Sequence, residues 1–172
     1  MNADGTIRAD GPGPVPPSSG FPEPATARGL ADGGGDGTAA DHAVGTAVEA
    51  RWRQLVLVWQ WERKRQEANA PDTPYPGIVA LLEAARADPE LRRLYPFTSH
   101  FTVSFSSTVK FPYVVRAPSV TPLPDGTYRV HRREVPAMLG VVGSAAEAVA
   151  LVRAHLPEGL GPAVADATAL DG

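Results

Sequence analysis

The 172-residue chain has no cysteine. That excludes a disulfide, a thiolate nucleophile and a cysteine-held metal, and it suits a reducing compartment. Long apolar runs are missing too. The longest run of large apolar residues, LVLVW at 55–59, is far too short to cross a bilayer. The opening MNADGTIRAD has neither the basic nor the apolar region of a secretory signal, so a cytoplasmic protein without a membrane partner is expected. Catalytic signatures are equally scarce. There is no G-x-S-x-G elbow and no P-loop, and the four histidines include no H-x-x-x-H pair. Neither a metal nor a cofactor is expected.

Net charge is small, and its placement matters more than its size. Residues 1–40 hold five acids and two arginines, which accounts for the whole −3. The remaining 132 residues carry fourteen acids and fourteen bases. A neutral domain lacks the positive footprint of a nucleic-acid binder. The same forty residues hold nine glycines and six prolines, with Met1, Ile7, Val15, Phe21 and Leu30 as their large apolar residues. Such a segment buries too little to offset the entropy of ordering, so a disordered tail is expected. Its PGPVPP at 12–17 favours polyproline II, a form that docks in aromatic grooves of partner proteins.

Near Asp41 the pattern changes. Val44, Val48, Trp52, Leu55 and Trp59 recur at helical spacing, and Leu57, Val58 and Trp61 widen the stripe. This predicts a helix buried on more than one side. Asp41 is its candidate N-cap, although Gly45 weakens the first turn, and Pro71 stops it. Arg63, Lys64 and Arg65 in its last turns would complement the dipole. Ile78, Leu81, Leu82 and Ala85 give a second helix, with Pro76 in its first turn. Asp88-Pro89-Glu90 starts a short third one that Pro96 ends.

Period 3.6 then gives way to period 2. Phe101, Val103 and Phe105 alternate with His100, Thr102, Ser104 and Ser106, a half-buried strand. Phe111, Tyr113 and Val115 suggest a second strand, Tyr128 and Val130 a third, and Met138–Val142 a fourth. PLPDG at 122–126 is a turn. Ser144 and Glu147 form a capping box before the apolar face of Ala145, Ala148, Val149, Val152 and Leu156. The reading is α+β: N-terminal helices packed on a four-stranded antiparallel meander, followed by a C-terminal helix. It places a single domain over 41–164 and a frayed end over 165–172.

Three stretches carry a family likeness. They are Leu94-Tyr95-Pro96-Phe97-Thr98-Ser99-His100, the hairpin Pro124–Val130, and the helix Ala145–Val152 with its Leu156-Pro157 and Gly161-Pro162-Ala163-Val164 tail. Over roughly residues 49–164 the chain resembles an uncharacterised actinobacterial family labelled "natural product biosynthesis protein". Arginine in place of lysine, with abundant Ala, Gly and Pro, agrees with a GC-rich coding source. The resemblance implies a place in specialised metabolism and brings no catalytic residues with it. Two features depart from the family pattern: the basic loop His131-Arg132-Arg133-Glu134 and the long tail.

The polar cluster Tyr95–His100 is the candidate site. Thr98 and Ser99 can bond loose backbone groups where a helix hands over to a strand. His100 is placed to act as a general base or to orient a ligand, since histidine titrates near neutral pH. His131 falls on the polar side of its strand, about two strand spacings or near 10 Å from His100, which is too far to share a tetrahedral metal. Ser99, Tyr95 and His131 are the supporting candidates. Each of these residues also has a plain structural reading, as caps and register pins. Trp52 and Trp59 read as core, Glu62 and Glu67 as a solvated face, and Arg63–Arg65 and Arg132–Arg133 as surface or as contacts to an acidic partner. Three functions follow from this: an accessory or binding protein for a protein partner or a small metabolite, a small cofactor-free enzyme built on His100, or an immunity-type binder.

Overall fold

The structure is a computed structural model that describes residues 36–133 and 137–170. Of the tail expected over 1–40, residues 1–35 lie outside the described residues, as do 134–136 and 171–172, while 36–40 open the first helix instead.

Helix α1 runs Asp36–Asn69, so it begins five residues before the expected Asp41 cap. Asp41 is an exposed residue inside the helix. Ala39 and Ala40 propagate a helix well enough to carry Gly37 and Gly45, which cost about 1 kcal/mol each. Val48, Trp52 and Leu55 are buried, and Val44 and Trp59 pack beside them. The expectation that Leu57, Val58 and Trp61 widen the buried face is wrong: they are 65%, 46% and 59% exposed. At about 100° per residue, Leu57 and Trp61 stand roughly 180° and 220° round from Val48. The helix therefore buries one side only. Its basic run lies short of the last turn and pairs locally, with Arg63 on Glu67 and Arg65 on Glu62.

Helix α2 (Ile78–Ala87) buries Ile78, Val79, Leu81, Leu82 and Ala85, with Pro76 ahead of it rather than in its first turn. Asp88 caps the next turn as expected: its carboxylate accepts from the Glu90 and Leu91 amides at 3.0 Å each. That turn is only a 3₁₀ segment, Leu91–Arg93.

Five strands follow, not four: β1 Tyr95–Ser99, β2 Thr102–Ser106, β3 Ser119–Pro122, β4 Tyr128–His131 and β5 Met138–Val142. They form one antiparallel sheet in chain order. Tyr95–His100 is thus not a helix–strand junction but a strand and a turn. Pro96 removes a ladder donor, which an edge strand tolerates. The expected strand at Phe111–Val115 is a loop with a single bridge from Val115 to Ser106. Leu123–Thr127 is the predicted turn: Asp125 accepts from the Thr127 amide at 3.0 Å, and Gly126 takes φ +84°.

Helix α3 (Ala145–Ala154) opens on the capping box. Ser144 accepts from the Glu147 amide at 3.2 Å, and Glu147 reaches back to the Gly143 amide at 3.1 Å. Beyond it the chain does not fray at 165. Val164 bridges Thr108 in parallel, the Lys110 amide donates to the Ala165 carbonyl at 3.0 Å, and Ala167–Leu170 form a 3₁₀ turn.

Val103, Phe105, Val120 and Val130 point from the sheet into a core shared with all three helices. Trp52 is its centre. Its indole donates to the Leu94 and Arg92 carbonyls at 3.2 and 3.1 Å and its ring meets Phe105. Glu49 joins Arg92 at 2.7 Å and Arg86 at 3.5 Å, tying α1 to the next two segments. The Arg92 hydrogen bond holds the Glu49 carboxyl below its ordinary value, against the raising effect of burial.

Candidate functional site on the outer face of the sheet

The helices take one face of the sheet, and strand alternation sends every second side chain to the other. The register lines these up in rows. Phe97, Ser104, Ser119, His131 and Met138 follow one another across all five strands. Ser99, Thr102, Thr121, Arg129 and Val141 form the next row. The middle of this face is a hydroxyl ladder. Ser104 bonds Ser119 and Thr102 bonds Thr121, both at 2.8 Å.

One end of the face is covered by the loop after β2. Thr108, fully buried, organises it. Its amide donates to the Ser106 hydroxyl at 3.0 Å, its own hydroxyl donates to the Pro112 carbonyl at 3.1 Å, and it accepts from the Val114 amide at 3.2 Å. This fixes Tyr113 over β1. Its ring stacks on Phe97 at 4.8 Å and lies 5.7 Å from Tyr95. Phe111 meets Tyr113 edge-on and is 84% exposed.

Two adjoining clefts result. The aromatic one, about 500 Å³, is lined by Phe97, Phe111, Pro112, Tyr113 and Val115. The polar one, about 260 Å³, is lined by His100, Thr102, Ser104, Ser119 and His131. Ser99 and Arg133 border both. No acidic side chain is among the described residues lining either cleft.

His100 is not on a strand. It is exposed and holds φ +53° as the first residue of the two-residue β1–β2 turn. A positive φ at that position alone is the sign pattern of a type II′ turn, which glycine usually fills. His131 sits on β4, and its Nδ1 is buried without a hydrogen-bond partner. Burial keeps His131 below its ordinary value of 6.5, while the Arg129 carbonyl works the other way without closing a hydrogen bond. The structure thus brings His100, Ser99 and His131 to one cleft. It takes Tyr95 away from them, since it lies four positions along the strand from Ser99, about 13 Å. Tyr95 instead packs on Tyr113 under the Arg51 guanidinium, 5.8 Å from its ring, and burial raises its phenol above the ordinary value.

No hydrogen bond links either histidine to a serine or threonine hydroxyl among the described residues. Nor does any group of three His, Asp or Glu among them lie close enough for a metal. Sequence reading missed Phe97, Phe111, Tyr113 and the ladder hydroxyls. The signal for the hydroxyls was present: Thr102, Ser104 and Ser106 alternate with buried Val103 and Phe105. For Phe111 and Tyr113 it misled, because alternation there suggested a strand.

Fold and site together define a small α+β domain that leaves part of one sheet face open, with a basic and aromatic cleft upon it. The chain belongs to the family of unknown function DUF6193, whose model matches residues 46–167. No curated protein and no solved structure matches it.

Proposed function

We propose that the protein is a binding module whose site is the open sheet face, taking a small metabolite. The observation that carries this reading is the double cleft itself, because the larger lobe lies in the volume range of about 300–1,000 Å³ usual for small-molecule sites. The pairing of Ser104 with Ser119 supports binding over catalysis. Each hydroxyl already has a partner, and neither is aimed at a base. The wider setting we propose is actinobacterial specialised metabolism, in the role of an accessory protein. Its support is the likeness of the Leu94–His100, Pro124–Val130 and Ala145–Val152 segments together with the arginine-rich composition.

Native mass spectrometry tests the reading on the full chain, purified from cells that express its neighbouring genes. A non-peptide mass should be retained by the wild type. It should be lost in Ser99→Trp, which fills the junction of the clefts from an exposed position, with thermal stability unchanged. Retention by both proteins, or by neither, would overturn the reading.

One observation favours a second function, a small cofactor-free enzyme. A half-buried imidazole lining the polar cleft, with its pKa lowered by burial, is neutral at pH 7, the form a general base needs. On that reading His131→Gln would abolish turnover of the retained compound while leaving its binding within about threefold.

A further inference from the structure

We infer that the cleft selects a small aromatic acid, with its ring against the Phe97–Tyr113–Phe111 wall and its single anionic group at Arg133. This rests on the binding reading of the same face and adds the ligand's chemical class.

The arrangement of the two lobes carries the inference. Arg133 and Ser99 border both, so the cation stands where an apolar lobe meets a polar one. A ligand filling the junction must present an apolar surface on one side and hydrogen-bond acceptors on the other. The apolar wall is aromatic. Phe97 and Tyr113 are stacked with 26° between their planes, and both line this lobe. Phe111 stands at the mouth, 84% exposed, where a planar ligand would cover it. Such rings favour offset or edge-to-face contact with another ring.

The polar lobe sets the charge. Its cationic side chain is Arg133, and its described lining holds no acid to compete with an anion. Each ladder pair uses one of its two hydroxyl protons internally and keeps the other to donate. His131 lines the lobe as well, but its Nδ1 is buried below solvent contact and is not presented to a ligand. A single guanidinium matches a singly charged group. A polyphosphate would need more positive charge and a cradle of backbone amides.

Calorimetry on the full chain tests this with three probes: 2-naphthoate, the uncharged 2-naphthylmethanol, and the non-aromatic cyclohexanecarboxylate. Naphthoate should bind saturably, and each of the other two at least tenfold more weakly. Arg133→Gln should erase the preference for naphthoate over the alcohol. Phe111→Ala should erase the preference over cyclohexanecarboxylate. Both positions are exposed, so melting temperature serves as the folding control. Equal binding of the three probes, no binding of any, or a charge preference that survives Arg133→Gln would overturn the inference. Its failure is separable from failure of the binding reading. A neutral or non-aromatic compound retained in a Ser99-dependent way leaves the site standing and removes the ligand class. No retained compound and no probe binding removes both.

Discussion

Trp52 and Trp61 lie on one helix and have opposite fates. Trp52 is fully buried with its N–H bonded, whereas Trp61 is 59% exposed with the Arg65 guanidinium 5.1 Å from its ring. Trp52→Ala should therefore cost about 3–5 kcal/mol in urea denaturation. Trp61→Ala should stay within about 0.5 kcal/mol, and equal losses would contradict the packing described. The Ser104–Ser119 pair gives a finer test. Removing one hydroxyl strands the other in a buried place, at a cost of about 1–3 kcal/mol, while removing both relieves it. A double-mutant cycle should thus show Ser104→Ala and Ser119→Ala together costing less than their sum. His131 adds a pH dependence. Its folded pKa lies below 6.5, so above that value both folded and unfolded chains hold it neutral. As pH falls below 6.5 the unfolded chain takes up the proton first, and stability drops until the folded residue titrates as well. Stability measured from pH 8 downward should fall more steeply for the wild type than for His131→Gln below about 6.5.

At the scale of elements, what could be read in the sequence followed strict periodicity. The buried stripe of α1, the α2 face and the Ser144–Glu147 box all rest on local spacing that tertiary contacts leave in place. Val103 and Phe105 gave the inner side of β2 for the same reason. β1 was hidden because Pro96 reads as a helix stop, and only its edge position makes it harmless there. The edge is also finished by α1, whose Arg51 side chain donates to the Pro96 carbonyl at 3.2 Å, a contact between residues far apart in sequence. β3 was hidden because its four residues, Ser119–Pro122, are too short to show a period. Of the site, His100, Ser99 and His131 could be picked out as polar residues beside strands. Their meeting could not, since it depends on the register of four strands. Gly77 is a further element-scale case. Its carbonyl accepts from the Tyr128 hydroxyl at 3.1 Å, and a Cβ there would overlap the phenol. Gly77→Ala should cost about 1–3 kcal/mol by pushing α2 and β4 apart. Tyr128→Phe should restore part of that loss by removing the atom in the way.

For the molecule as a whole, the central feature is asymmetry between the two faces of one sheet. Three helices fill the inner face, and the outer face keeps hydroxyls, a histidine and an arginine beside an aromatic wall. A domain of this size can bury its core on one side alone, which leaves the other side free of helices. No helix among the described residues is long and apolar enough to cross a membrane. The most direct measurement compares amide spectra of the protein as purified from cells expressing its neighbouring genes with spectra after ligand is stripped by unfolding and refolding. Shifts should concentrate on Ser99, Thr102, Ser104, Ser119, His131 and Arg133. Shifts concentrated instead on the groove between α1 and the 3₁₀ turn, at Val44, Val48, Arg92 and Ala163, or no shifts at all, would contradict this.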